Sequence, residues 1–82
     1  MKNFLVIGLG EFGKSVAKTL YSNNTTVLVI DAKENLIKQA LNEGIIEEAI
    51  ILDATDEIAL KKVVRDDFDT AFVSVGDNIQ AS

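Results

Sequence analysis

The chain predicts an α/β fold in which a doubly wound parallel sheet is covered by helices, and three observations carry that prediction. Four short runs, "FLVIG", "TVLVID", "AIIL" and "TAFVSV", are apolar and rich in branched residues. They are continuous rather than alternating in polarity, which suits strands buried on both faces. Between them lie segments whose apolar residues recur every three to four positions, the period of a helix with one buried face. The first run also ends in glycines, "GLGEFG", where a strand would turn sharply into a helix.

In chain order, Phe4 to Gly8 form the first strand. From Phe12 the apolar positions Phe12, Val16, Ala17, Leu20 and Tyr21 make a helical stripe that stops at Ser22 to Asn24, three turn-forming residues. Thr26 to Asp31 form the second strand; Leu36, Ile37, Ala40 and Leu41 make a second stripe that ends at Gly44, a residue suited to a helix C-terminus. Ala49 to Leu52 form the third strand. A third helix begins near Thr55 or Asp56 and carries Ile58, Ala59, Leu60, Val63 and Val64, and Thr70 to Val75 form the fourth strand. Right-handed crossovers give the strand order 3-2-1-4, with the first and fourth strands adjacent where the winding reverses. Ligands of such sheets bind there, beyond the carboxyl ends of the strands. Residues Gly76 to Ser82 read as the opening turn of another helix. The sheet is therefore expected to be truncated after its fourth strand, in a fragment or in a chain whose sticky edge a partner covers.

Composition narrows the function. At 82 residues the chain makes one small domain, which removes only roughly 60–65% of its unfolded surface from water. Hydrophobic content of 48% with 26% charged residues is globular, and no apolar run approaches the roughly 18 residues of a membrane span, so no direct membrane insertion is expected. Met1 leads straight into a strand-like run rather than a secretion signal, and there is no cysteine; both agree with a cytoplasmic location. Eight basic against 13 acidic residues give a net charge of −5 with no basic patch, which argues against nucleic acid and anionic lipid. The chain has no His, Cys or Trp. The commonest general base, the thiol nucleophile and the usual zinc ligands are thus missing together. Catalysis would fall to carboxylates, Lys, Tyr21 or Ser/Thr, and no constellation of these is recognisable; no metal site and no enzymatic activity are expected.

"GLGEFGKS", residues 8 to 15, fits two phosphate-binding patterns: G-x-G-x-x-G through Gly8, Gly10 and Gly13, and G-x-x-x-x-G-K-[ST] through Gly8, Gly13, Lys14 and Ser15. In the first, which characterises the Rossmann-like dinucleotide fold, Gly8 permits the turn, Gly10 lets backbone approach a pyrophosphate and Gly13 lets helix pack on sheet. The helix N-terminus then faces the anion. Asp31, 18 residues after Gly13 at the end of the second strand, can accept hydrogen bonds from ribose hydroxyls and would repel a 2′-phosphate. Capping of the second helix is the other role open to it. The second pattern finds support in "VLVID", similar to the strand and Asp that hold magnesium in triphosphatases. Against it, a phosphate loop has no need of Gly10, Lys14 already sits in the helix as a solvated residue, and such enzymes need a longer chain. The dinucleotide reading is favoured.

"NFLVIGLGEFGKSVAKTL", "VLVID", "LDAT" and "VSVGDNIQAS" together resemble the N-terminal nucleotide-binding part of RCK domains, also called KTN or TrkA-N, from cytoplasmic regulatory subunits of bacterial potassium-uptake systems, and most of all those of the Ktr type. The resemblance covers essentially the whole chain; measured against that family, the last strands of the nucleotide domain and the C-terminal subdomain are lacking. It implies a sensor rather than an enzyme. ADP, ATP or NAD(H) would bind the cleft and change the shape of a homo-oligomer, a dimer or, in full-length form, an octameric ring. That assembly would gate an integral-membrane potassium-translocating subunit, holding the chain at the inner face of the cell membrane.

By the same resemblance Gly8, Leu9, Gly10, Glu11, Phe12 and Gly13 form the phosphate turn, Asp31 and Ala32 hold the ribose, Asp53, Ala54 and Thr55 lie against adenine, and Val75, Gly76 and Asn78 close the floor near the phosphates. Read alone, Asp53, Thr55 and Gly76 suit turn and cap positions, and Asn78 the start of a helix. The Ktr-type turn usually carries a basic residue where this chain has Glu11, a departure that implies weaker preference for ATP over ADP. Two other functions compete: a fragment of an NAD-dependent oxidoreductase, and a structural subunit without ligand.

Overall fold

The computed structural model describes residues 2–64, 68–75 and 78–81, with Val75 and the last four as backbone only. The elements are β1 (Asn3–Ile7), α1 (Glu11–Ser22), β2 (Thr26–Asp31), α2 (Glu34–Asn42), β3 (Glu48–Ile51), α3 (Glu57–Val63), β4 (Thr70–Val75) and β5 (Asn78–Ala81). They build a sheet in the order β3-β2-β1-β4-β5. β3, β2, β1 and β4 run parallel, as the sequence predicts, and β5 is antiparallel to β4.

Continuous apolar strands split their side chains between two covered faces. On one, Val6, Val27 and Val29 meet Leu9, Ala17 of α1, Ile37 and Ala40 of α2, and Ile45 and Ile46. On the other, Leu5, Leu28 and Ile30 meet Leu60 and Val63 of α3, with Val64 and Phe68. Val6, Val29 and Ile30 are wholly buried, each contributing about 1.5–3 kcal/mol relative to exposure. Phe4 and Phe72 pack ring to ring between β1 and β4, with centroids 6.2 Å apart.

The helix ends follow from local chemistry. Asn23 and Asn24 close α1, with Asn24 in the left-handed region at φ 60°. Gly44, at φ 71°, ends α2 while the Ile45 N–H reaches back to the Ala40 carbonyl (3.1 Å), the six-to-one bond of a Schellman turn. Asp56 caps α3 by accepting from the Ala59 N–H at 3.1 Å.

Three sequence expectations need correction. Residues 78–81 do not open a helix but form β5, with Phe72 opposite Ala81 and Val75 opposite Asn78. A single helical turn is costly to nucleate, whereas an existing strand edge supplies hydrogen bonds to a new strand at once. Strand limits move by one residue: Asn3 and Glu48 join because Thr26 and Leu28 pair with them, and Gly8 leaves β1 because its φ is 98°. Leu52 likewise falls just beyond β3. Finally, Phe12, Leu41 and Ile58 lie on the predicted helical stripes yet are 48%, 43% and 73% exposed. Helical period identifies a face but not how far the neighbouring layer extends across it.

Candidate functional site

The parallel register brings four strand ends into one row. Ile50 pairs with Ile30, Ile30 with Ile7, and Ile7 with Val73. The next residues, Ile51, Asp31, Gly8 and Ser74, therefore stand side by side at the carboxyl side of the sheet. Gly8 begins the turn into α1, and its N–H bonds the Ile30 carbonyl at 2.8 Å. A Cβ on Gly8 would lie 2.8 Å from the Ser74 carbonyl oxygen and 3.2 Å from the Ser74 Cβ. A Cβ on Gly13 would fall on the Gly8 carbonyl oxygen. Both glycines are thus required by close approach, one of backbone to β4 and the other of helix to turn.

Gly10 is the N-cap of α1 in extended conformation, and no side chain caps this end. The first intrahelical bond runs from the Lys14 N–H to the Gly10 carbonyl (2.9 Å), so the N–H groups of Glu11, Phe12 and Gly13 precede the helical ladder. These donors and the positive end of the helix dipole suit an anion. Leu9 contributes backbone only, since its side chain is buried in the core. Glu11 and Phe12 are exposed at the start of α1. Lys14 points elsewhere, forming an ion pair with Glu43 beyond α2 at 3.1 Å. That pairing and the Gln39 amide hold the Glu43 carboxyl below its usual range. The lysine a triphosphatase loop would aim at phosphate is here engaged between two helices.

Asp31 is half-buried, and both its oxygens are occupied: Oδ2 accepts from the Leu9 N–H and Oδ1 from the Lys33 N–H, each at 2.7 Å. Lys33, not Asp31, is the N-cap of α2. Asp31 thus joins the glycine turn to the entry of α2, with Ala32 exposed beside it. After β3, Asp53 Oδ1 accepts from the Thr55 hydroxyl (2.7 Å) and the Thr55 N–H (2.9 Å), and its carbonyl accepts from the Asp56 N–H (3.0 Å). The two Thr55 bonds, the hydroxyl's the stronger influence, hold the Asp53 carboxyl below the usual range. Asp53, Ala54 and Thr55 thereby form a fixed turn past the end of β3. Val75 ends β4 and Asn78 begins β5; Gly76 lies outside the described residues.

Ser74 is the site residue that sequence reasoning missed. Its Cβ lies 3.2–3.3 Å from where side chains on Gly8 and Gly13 would begin, so it is part of what restricts both positions to glycine. The available signal was a lone small polar residue late in the apolar run "TAFVSV". A separate cavity of about 440 Å³ opens at the amino ends of β2 and β3, between Tyr21, Asn24, Glu47 and Glu48. There the Tyr21 hydroxyl is held above its usual pKa chiefly by its hydrogen bond to Glu47. It is remote from the turn, whose case rests on convergent backbone donors rather than on enclosure. Among the described residues no helix is long and apolar enough to cross a membrane, and no group of three or more carboxylates is placed to hold a metal.

The strand order β3-β2-β1-β4, the glycine turn at the switch point and the acid ending β2 define a Rossmann-like domain of the nucleotide-binding type. Within that class the chain matches the TrkA-N domain over residues 4–82, and it belongs to that family. It is 41% identical over 81 residues to the Ktr system potassium uptake protein C of Bacillus subtilis and 37% identical to the Ktr system potassium uptake protein A of the same organism. It is 36% identical to the Ktr system potassium uptake protein A of Vibrio alginolyticus. Each match covers 99% of this chain and 36% of the relative, so the chain spans about a third of the length of these relatives.

Proposed function

We propose that this chain is the nucleotide-sensing part of a regulatory subunit for potassium uptake, without enzymatic activity of its own. Residues 1–82 would be the N-terminal portion of the nucleotide-binding domain. An adenine nucleotide, ADP or ATP, or NAD(H) would bind beyond the strand ends. Its phosphates would meet the N–H groups of Gly10 to Gly13, its ribose Asp31 and Ala32, and its adenine the turn Asp53 to Thr55. Val75, Gly76 and Asn78 would form the floor. The observation that supports this most is the uncapped start of α1 beside a carboxylate braced on the same turn. The names of the Ktr relatives support the potassium system.

The nucleotide would act by binding one conformation more tightly than another, shifting a homo-oligomer that gates an integral-membrane partner from the cytoplasmic side. Calorimetry with ADP, ATP, NAD and NADH tests the binding step. At least one should bind, and at a hundred times its Kd it should stabilise the fold by about 2.7 kcal/mol. No binding of any of the four at millimolar concentration would overturn the reading. Glu11 places a carboxylate in the first turn of α1, where it competes with an outer phosphate for the same dipole. ATP is therefore expected to bind no better than ADP, and Glu11→Gln to favour ATP more than ADP.

A further inference from the structure

The carboxylate of Asp31 does more in this fold than stand ready for a ribose. Its Oδ2 receives the Leu9 N–H and its Oδ1 the Lys33 N–H, both at 2.7 Å, the short length of charge-assisted bonds. Leu9 sits between Gly8 and Gly10, so the first bond acts on the middle of the phosphate turn. The same residue is anchored on its other side by a buried side chain, and Gly8 by its bond to the Ile30 carbonyl. Three fixed points therefore set the path by which the chain enters α1. Only Asp31 among them is a polar side chain that a ligand could also touch.

A carboxylate offers about four acceptor positions, and the two backbone bonds use two of them. The remaining pair is free for the vicinal hydroxyls of a ribose. Bracing and ligand contact can thus occur together. We propose that Asp31 is a positioning residue for phosphate recognition: through the Leu9 N–H it aims the Gly10 to Gly13 donors, so its loss weakens phosphate binding even where no ribose hydroxyl is present. This rests on the nucleotide-binding reading above. The direction of the effect is diagnostic, because removing a negative charge near an anion site would by itself tighten binding of the anion.

The test compares ADP with 2′,3′-dideoxy-ADP, which keeps adenine and both phosphates but lacks the hydroxyls Asp31 would accept, on the native protein and on Asp31→Asn. Loss of the charge-assisted bond should lower affinity for the dideoxy ligand by about tenfold. In the unliganded protein the Leu9 amide proton should shift upfield and exchange faster with solvent, while amides of β5 stay unchanged. Should Asp31→Asn fail to fold, Asp31→Glu carries the same comparison, since the added methylene keeps the charge but displaces the oxygens from the Leu9 N–H. Dideoxy-ADP binding that is unchanged or tighter in the variant, with ADP binding reduced, would overturn the proposal and leave Asp31 a ribose contact alone. A native protein that binds neither of these, nor ATP, NAD or NADH, would instead overturn the nucleotide reading itself.

Discussion

At Gly8, a φ of 98° and the approach of the Ser74 carbonyl leave no room for a side chain. Gly8→Ala is expected to destabilise by roughly 1–3 kcal/mol from backbone strain, with overpacking against Ser74 adding to it. Urea denaturation measures the loss; a midpoint unchanged from the native protein would contradict the geometry. Asp53 makes a prediction in pH. Its folded pKa is depressed by the Thr55 hydroxyl and N–H, so its contribution to stability is present above the unfolded value of about 3.9 and is lost as pH falls through the lower folded value. Following the Thr55 amide by NMR from neutral to acid pH should give a midpoint below that of an unfolded aspartate. A midpoint at or above it would show that the turn does not hold the carboxylate.

Among the elements, α3 depends most on its cap. It has seven residues, none of them buried, and its Ile58 is 73% exposed. The Asp56 side chain at one end, and Lys61 and Lys62 near the other, both complement the helix dipole. Asp56→Ala should cost about 1 kcal/mol and speed amide exchange across α3, without changing the protection of β1 and β2. Equal loss across the sheet would mean that α3 and the sheet open as one unit. α1 is different: it is held by buried Gly13 and Ala17 and by the Lys14–Glu43 pair, and its open end is left to the turn.

For the molecule as a whole, β5 decides what the sheet presents at its edge. Without it, β4 would expose the hydrogen-bonding groups of an apolar strand, a template for association. A chain ended after Val75 is expected to self-associate more than the 82-residue chain at equal concentration, as light scattering would read. Identical masses for both would show that β4 is protected by other means. The other edge, β3, has two of its four residues exposed, Glu48 among them, so a charge already guards it.

The sequence by itself determined the parallel order of β3, β2, β1 and β4, because strands buried on both faces must be continuously apolar and the glycine turn marks where winding reverses. It also determined that Gly8, Gly13 and Asp31 belong together, since their spacing has meaning only in a strand, turn and helix followed by a second strand. Tertiary structure alone decided that Asp31 reaches the Leu9 N–H, that Lys14 turns to Glu43, that Ser74 lies under both glycines, and that the last residues pair with β4. Each of these depends on distances between segments far apart in the chain. Local propensity describes a residue's own backbone, while such contacts are fixed only when the sheet sets the register between neighbours.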